Sequence, residues 1–152
     1  MMKAITWLAS LTVGTAMVAP AFGKELEGWS TDLDKAMKDA KAQNKCVLVE
    51  FTGSDWCPPC IAMRKNVFSK KEFVKKASEK FILVELDFPN GDKDLKKKNE
   101  PFAKKYNIEG FPTVILLDSE GKEFTRFFAS EYPKVDAFLD HLDEALEKKD
   151  LD

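Results

Sequence analysis

The chain has few of the residues from which metal sites and nucleic-acid interfaces are built. Its 152 residues include one histidine and three cysteines, and the formal net charge is −2. A slightly acidic chain lacks the overall basic bias that favours nucleic-acid binding. The lysine-rich stretch at 93–105 is locally basic, but a charge run of this kind is typical of a solvated helical face. We therefore predict no nucleic-acid partner.

Long apolar runs are absent beyond the first twenty residues. A lysine precedes an apolar stretch at 4–18, and Ala21-Phe22-Gly23 has the small-x-small pattern of a signal-peptidase site. About 15 apolar residues are few for a bilayer core of about 30 Å, which disfavours a transmembrane anchor. No cysteine precedes Cys46, so no lipid attachment is expected at the cleavage point. We predict a signal peptide at residues 1–23 and an exported protein, periplasmic or secreted, formed by residues 24–152.

Two of the three cysteines lie close together. The segment Trp56-Cys57-Pro58-Pro59-Cys60 follows an apolar strand pattern and precedes a helical pattern. Because a helix rises about 1.5 Å per residue, positions three apart share one face, and the two thiols can close or reopen a disulfide ring. The positive end of the helix dipole favours a thiolate at Cys57. A purely structural bridge is a poor explanation, because a ring of four residues restrains little chain.

Periodicity and turn residues predict a single α/β domain. Thr31 and Ser69 each precede an acidic residue by three positions, the spacing of a capping box, and Pro133 suits the first turn of a last helix. The predicted order is helix, strand, helix, helix, strand, helix, strand, strand, helix. Strands joined through helices predict parallel neighbours, and a hairpin turn at 119–122 adds an antiparallel edge. We expect a central mixed β-sheet flanked by helices on both faces.

At this point the chain resembles the thioredoxin-like family over nearly all of residues 24–152. The resemblance is carried by Val49-Glu50-Phe51 before the cysteine motif, by Gly110-Phe111-Pro112-Thr113 some fifty residues later, and by the closing hairpin and helix. The run from Phe51 to Cys57 is most similar to the exported branch related to the C-terminal domain of the DsbD reductase. The Cys-Pro-Pro-Cys sequence also occurs in TlpA-like members. The resemblance implies a thioredoxin-like fold and a thiol–disulfide oxidoreductase.

The resemblance also implies roles for the residues of the two motifs. Cys57 would be the exposed attacking thiol and Cys60 the buried resolving thiol. Pro112 would be a cis-proline that faces the pair and turns the backbone of Phe111 toward a substrate strand. Trp56 would shield the disulfide and contact partners together with Phe111, with plain core packing of Trp56 as the alternative.

Glu50 is the remaining catalytic candidate. In the resemblance it matches an interior aspartate that relays protons to the buried cysteine, although this chain has Glu for Asp and one extra loop residue. A buried carboxyl has a raised pKa and can act as a base near neutrality. In the alternative, Glu50 reaches the edge of the sheet and ionises in water.

The two prolines predict the direction of the reaction. Pro58 and Pro59 have no backbone N–H, so two possible hydrogen-bond donors to the Cys57 sulfur are missing. A less stabilised thiolate makes the reduced state less favourable, which predicts a reductase rather than an oxidant with a cysteine pKa near ~3.5. In the alternative, the prolines only fix the turn and start the helix.

Two other classes of function remain open on the sequence. A metal-binding or metal-transfer protein could hold copper or zinc through two thiolates, but closed zinc sites have four protein ligands. Cys46 and His141 lie elsewhere in the predicted fold, Cys46 as a buried inert thiol and His141 as a solvent-facing residue. A docking module would keep the fold without needing an intact cysteine pair.

The predicted partners follow from the leading interpretation. We expect protein thiols and disulfides as substrates, and a membrane-embedded electron donor, because a reductase outside the cytoplasm needs electrons from across a membrane. One compact domain predicts a monomer, and we expect no cofactor.

Overall fold

The computed structural model describes residues 25–152, so the predicted signal peptide lies outside the described residues. Helices and strands occur in the predicted order. Their bounds are α1 Leu33–Gln43, β1 Cys46–Thr52, α2 Pro58–Met63, α3 Lys71–Ala77, β2 Phe81–Asp87, α4 Lys93–Lys105, β3 Thr113–Leu117, β4 Glu123–Phe128 and α5 Val135–Leu151. A π-helical turn, Arg64–Phe68, continues α2, and a 3-10 turn, Ala129–Glu131, leads to α5. In this described part of the chain, none of the helices has the length and apolarity to cross a bilayer.

The four strands form one mixed sheet in the order β2-β1-β3-β4. β1 and β2 are parallel, whereas β3 lies antiparallel to both β1 and β4. The expectation of parallel neighbours is therefore confirmed for β1 and β2 and wrong for β2 and β3. All five residues of β3 are buried, because β1 and β4 pair both of its edges and hydrophobic clusters cover both of its faces.

The start of α1 differs from the prediction. Asp32 is the N-cap residue, and its side chain accepts a hydrogen bond from the N–H of Lys35 at 2.9 Å. Thr31 therefore does not cap the helix. Asp and Thr are both good N-cap residues, so the sequence pattern allowed either position, and the extended backbone at Asp32 decides between them.

The starts of α3 and α5 are also later than predicted. Ser69 ends the π-helical turn, and its hydroxyl donates to the carbonyl oxygen of Lys65 at 3.3 Å instead of capping α3. α3 follows Lys70, and α5 follows Lys134, so Pro133 lies just outside α5. Because α2 continues as a π-helical turn that ends at Ser69, α3 begins only at Lys71.

The two faces of the sheet are covered by different helices. The face under α1 and α4, called here the apolar face, buries apolar side chains from the strands and from α1, and one polar side chain, Asn99 of α4, whose amide donates to the carbonyl oxygen of Asp87 at 2.8 Å. Its buried apolar members are Leu33, Ala36, Ala40, Val47, Val49, Phe51, Val84, Leu86, Phe88, Ile115 and Leu117. The opposite face, called here the cysteine face, packs under α2, the π-helical turn, α3 and α5, and includes Leu48, Phe68 and Phe138.

The two remaining sequence predictions concern Cys46 and His141. Cys46 is a free, buried cysteine as predicted, and burial raises the pKa of its thiol. His141 is not solvent-facing: its ring stacks on Tyr132 at 4.0 Å between centroids and meets Phe127 edge-on at 4.5 Å. Burial lowers the pKa of His141. The prediction was wrong because the residues that cover His141 come from β4 and from the connection before α5.

Candidate active site

The cysteine pair lies where β1 gives way to α2. Cys57 is the N-cap residue of α2 and Cys60 lies in its first turn, with Pro58 and Pro59 between them. The two sulfurs are bonded, and the two Cα atoms are 5.2 Å apart. Prolines are well tolerated in the first turn, because the N–H groups there have no partner within the helix. The N–H of Gly53 donates to the Cys60 sulfur at 3.5 Å.

Both cysteines are buried in this disulfide form. Cys57 is 4% exposed and Cys60 is 1% exposed, so the exposure predicted for Cys57 is not what the structure has. The reason is tertiary: the carbonyl oxygen of Phe111 lies 3.9 Å from the Cys57 sulfur. That carbonyl belongs to the loop before β3, which the sequence places fifty residues away.

The loop before β3 brings Phe111 and Pro112 to the pair. The Phe111–Pro112 peptide bond is cis, as the resemblance implied. Antiparallel pairing of Phe51 with Thr113 sets the end of β1 beside the start of β3, so Pro112 lies next to the loop that carries the cysteines. The roles of Pro112 and Phe111 toward a substrate stay predictions.

Trp56 lies over this loop with much of its ring in solvent. The side chain is 43% exposed, which excludes plain core packing. Its Nε1 donates to the carbonyl oxygen of Phe88 at 2.8 Å, and its ring meets Phe111 edge-on at 5.6 Å. A Cβ at Gly53 would overlap the Trp56 ring, so glycine is needed there. Trp56 and Phe111 therefore form one partly exposed aromatic surface beside the disulfide.

Hydrogen bonds join the active-site loop to the end of β2 and to the connection between β2 and α4. Asp55 accepts hydrogen bonds from the N–H groups of Asn90 at 2.9 Å and Gly91 at 2.7 Å, which lower the pKa of Asp55. Ser54 donates to Asp87 through its hydroxyl and through its N–H. The partners lie more than thirty residues apart, so no local pattern could have found them.

Glu50 is buried in the middle of the sheet, on the cysteine face. It is 1% exposed, and neither carboxyl oxygen has a hydrogen bond of ordinary geometry, although the Thr52 hydroxyl is close enough to stabilise the anion slightly. Burial raises the pKa of Glu50 well above its usual value, and the neighbouring Glu85 raises it further. β1 lies between β2 and β3, so the alternative of a carboxylate at the sheet edge is wrong.

Glu85 and Arg64 form an ion pair beside Glu50. Glu85 is the register partner of Glu50 on β2, and it is buried. Nη1 of Arg64 donates to both Glu85 oxygens, at 3.1 and 2.9 Å. Burial raises the pKa of Glu85, and the Arg64 charge opposes that rise. No local sequence pattern predicts this pair, because its members come from different elements and are 21 positions apart.

The chemistry of the site follows from these parts. Thiol–disulfide exchange needs a disulfide that a thiolate can open, and a buried carboxyl with a raised pKa is a group able to exchange protons. Such a disulfide at a helix N-terminus, with a buried carboxyl on the same face of the sheet, belongs to a thiol–disulfide oxidoreductase. Within residues 25–152, no grouping of three or more histidine, cysteine or acidic side chains could hold a metal ion.

The chain belongs to the thioredoxin-like family. The family model described as a thioredoxin-like domain matches residues 33–146. Among solved structures, a DsbH oxidoreductase superposes with a TM-score of 0.71 over 91% of this chain and 95% of that chain, at 27% identity. The reduced C-terminal domain of DsbD from Neisseria meningitidis gives a TM-score of 0.56 over 74% of this chain and 93% of that chain; at 22% identity it supports the fold alone.

Several proteins of similar sequence have names that refer to thiol–disulfide chemistry or to thioredoxin. The disulfide bond reductase DsbH of Chlamydia pneumoniae is 34% identical over 95 residues, 60% of this chain and 57% of that protein. The thioredoxin-related protein DsbJ of the same organism is 32% identical over 125 residues, 80% of this chain. The thiol:disulfide interchange protein DsbD of Vibrio cholerae is 30% identical over 116 residues, 74% of this chain. The chain spans only 36% of DsbJ and 18% of DsbD.

Proposed function

We propose that the protein is an exported reductase of disulfides in other proteins. Cys57, as a thiolate, attacks a disulfide of the partner and forms a mixed disulfide, and one partner sulfur leaves. Cys60 then attacks the Cys57 sulfur, which releases the second partner thiol and closes the Cys57–Cys60 disulfide. The partner gains two electrons and the enzyme loses two, so a donor must reduce the enzyme again.

The observation that carries the direction is the scarcity of donors around the Cys57 sulfur. Pro58 and Pro59 supply no N–H, and the Phe111 carbonyl oxygen, 3.9 Å away, presents negative charge to a thiolate. Both features disfavour the thiolate, and therefore the dithiol form of the enzyme, relative to the disulfide. An enzyme whose dithiol form is unfavourable gives up electrons readily.

The name of one relative supports the same direction, and the sequence of residues 1–23 supports an exported location. DsbH carries the name of a disulfide bond reductase. Outside the cytoplasm, oxidised secreted proteins, apocytochromes and other thioredoxin-like carriers are the disulfide substrates that fit the proposed chemistry. Their reduction draws electrons from the cytoplasmic side, so we propose a membrane-embedded thiol donor for the Cys57–Cys60 pair.

The reduction potential of the pair tests the proposal. The protein is equilibrated in defined thiol buffers, its free thiols are trapped, and the oxidised fraction is measured. We expect a potential near or below about −200 mV, in the range of reducing carriers. A potential near about −120 mV, typical of a strong oxidant, would contradict the reductase and the argument from the prolines. A pair that forms no reversible disulfide would contradict the oxidoreductase itself.

A further inference from the structure

An ion pair of the buried Glu85 and the half-buried Arg64 lies beside the carboxyl of Glu50. We propose that Arg64 and Glu85 are positioning residues that together set the charge of Glu50, and thereby the proton exchange between Glu50 and Cys60. Burial favours the protonated form of Glu50, Glu85 adds to that preference, and Arg64 opposes it. The inference deepens the proposed function and rests on its thiol–disulfide chemistry, but not on the direction of electron flow.

The geometry of the strands brings the two carboxyls together. Glu50 and Glu85 are register partners on the parallel strands β1 and β2, so their side chains leave the sheet on the same face. Neighbouring strands are about 4.8 Å apart, which places two carboxyls within strong mutual influence in a buried site. Glu85 has its hydrogen bonds from Arg64, whereas the oxygens of Glu50 have none of ordinary geometry.

Charged groups reach Glu50 from two of the elements packed around it. β2 contributes Glu85 and Asp87, which disfavour the Glu50 anion, and the π-helical turn contributes Arg64, which favours it. The β3 register partner, Val114, carries no charge. Asp87 is already engaged by Ser54 in the active-site loop. Glu85 and Arg64 are therefore the pair whose charges act on Glu50 in opposite directions.

The same arginine is linked to the resolving cysteine through the backbone. The Arg64 N–H donates to the carbonyl oxygen of Cys60, one turn earlier in the helix. Arg64 therefore contacts the turn that carries Cys60 through its backbone and Glu85 through its side chain. The contact of Nη1 with both Glu85 oxygens joins the π-helical turn to β2 beside Glu50.

In the proposed step, Glu50 exchanges a proton with Cys60. In the mixed disulfide, the Cys60 thiol gives its proton to the Glu50 carboxylate, and the resulting thiolate attacks the Cys57 sulfur. The Cys57–Cys60 bond forms, the bond from Cys57 to the partner breaks, and the partner thiolate takes a proton from solvent. When a reductant opens the disulfide, protonated Glu50 returns its proton to the Cys60 thiolate.

The test is a titration of Glu50 in the oxidised protein by difference infrared spectroscopy of its protonated carboxyl, assigned by its loss in Glu50→Gln. Glu85→Gln is expected to lower the midpoint and Arg64→Gln to raise it, each by about one pH unit, the size expected for a close charge. The double variant is expected to return toward wild type. Loosened packing alone would shift the midpoint of the Glu50 titration in the same direction in both single variants.

Glu72→Gln is the matched control, because it removes a carboxylate from the exposed Lys76–Glu72 pair and leaves the site untouched. Far-UV circular dichroism establishes that each variant is folded. An unchanged midpoint in Glu85→Gln, or shifts of the same sign in both single variants, overturns the proposal. The titration uses only the oxidised protein, so an oxidising potential would refute the reductase without affecting this result.

Discussion

The two faces of the central sheet are equally well buried but chemically different. On β1, the side chains of Val47, Val49 and Phe51 point to the apolar face, whereas Leu48, Glu50 and Thr52 alternate with them toward the cysteine face. The apolar face has no buried charge among the described residues, but the cysteine face buries Glu50 and Glu85. One strand therefore contributes to stability on one side and to chemistry on the other.

The two faces differ in the free-energy cost of burying polar groups. Burying a carboxyl without a full set of hydrogen bonds costs about 1–3 kcal/mol. The apolar face avoids that cost entirely, and the aromatic cluster around Phe68, Phe73 and Phe138 avoids it within the cysteine face. The polar groups are confined to the end of the sheet where α2 begins. Changes on the two faces should therefore separate stability from activity.

The largest expected effect is on activity, at the cysteine face. Cys60→Ala should abolish turnover, because the mixed disulfide on Cys57 then has no resolving thiol. The fold should remain, since the side chain is small. Reduction of insulin with dithiothreitol as donor measures turnover, and far-UV circular dichroism checks the fold. A non-reducing gel of the pre-reduced variant mixed with insulin, after removal of dithiothreitol, detects the trapped mixed disulfide. Full turnover in this variant would contradict the assignment of Cys60 as the resolving thiol.

The second effect is on stability, at the apolar face. Phe51→Ala should lower the free energy of unfolding by about 3–5 kcal/mol, because a fully buried ring is replaced by a cavity. Denaturant unfolding measures the loss. The reduction potential of the folded variant should stay close to that of wild type. A large change in potential would mean that the two faces are not separable.

The third expected effect is a dependence of stability on pH that arises from Glu50. Burial raises the folded-state pKa of Glu50, so between the unfolded value of about 4.3 and the folded value the native state holds the extra proton. Wild type should therefore lose stability relative to Glu50→Gln as pH rises through that window, by up to about 1.4 kcal/mol per pH unit. Unfolding curves of both proteins from pH 4 to pH 8 measure the difference. A difference that is independent of pH would indicate a carboxyl with an ordinary pKa.

The smallest effect concerns Cys46, at the other end of the cysteine face. Its thiol is buried, and burial raises its pKa, so it should resist alkylation in the native oxidised protein and react after unfolding. Cys46→Ala should change the free energy of unfolding by about 1 kcal/mol and leave the reduction potential unchanged. Mass spectrometry after iodoacetamide treatment measures the reactivity. Rapid native labelling would show that Cys46 is accessible.

Most of the secondary structure could be predicted from the sequence, but the starts of α1, α3 and α5 could not. The order of the elements, and the hairpin of β3 and β4 around the turn at 119–122, follow from periodicity and turn residues. Helix starts depend on which of several competent residues takes the capping geometry, so Asp32 replaces Thr31, and Ser69 becomes part of a π-helical turn. The packing of His141 depends on rings from other elements and was predicted wrongly.

The sequence by itself determined the redox motif, because a Cys-x-x-C at a strand-to-helix junction is a local arrangement of a few residues. It also determined the element order and, through the resemblance, the cis bond before Pro112. Only the tertiary structure decided that β3 runs antiparallel beside β1, that Phe111 covers the Cys57 sulfur, and that Arg64, Glu85 and Glu50 meet. Those contacts join residues about 20 to 70 positions apart. They arise from sheet register and helix packing, which a local pattern does not encode.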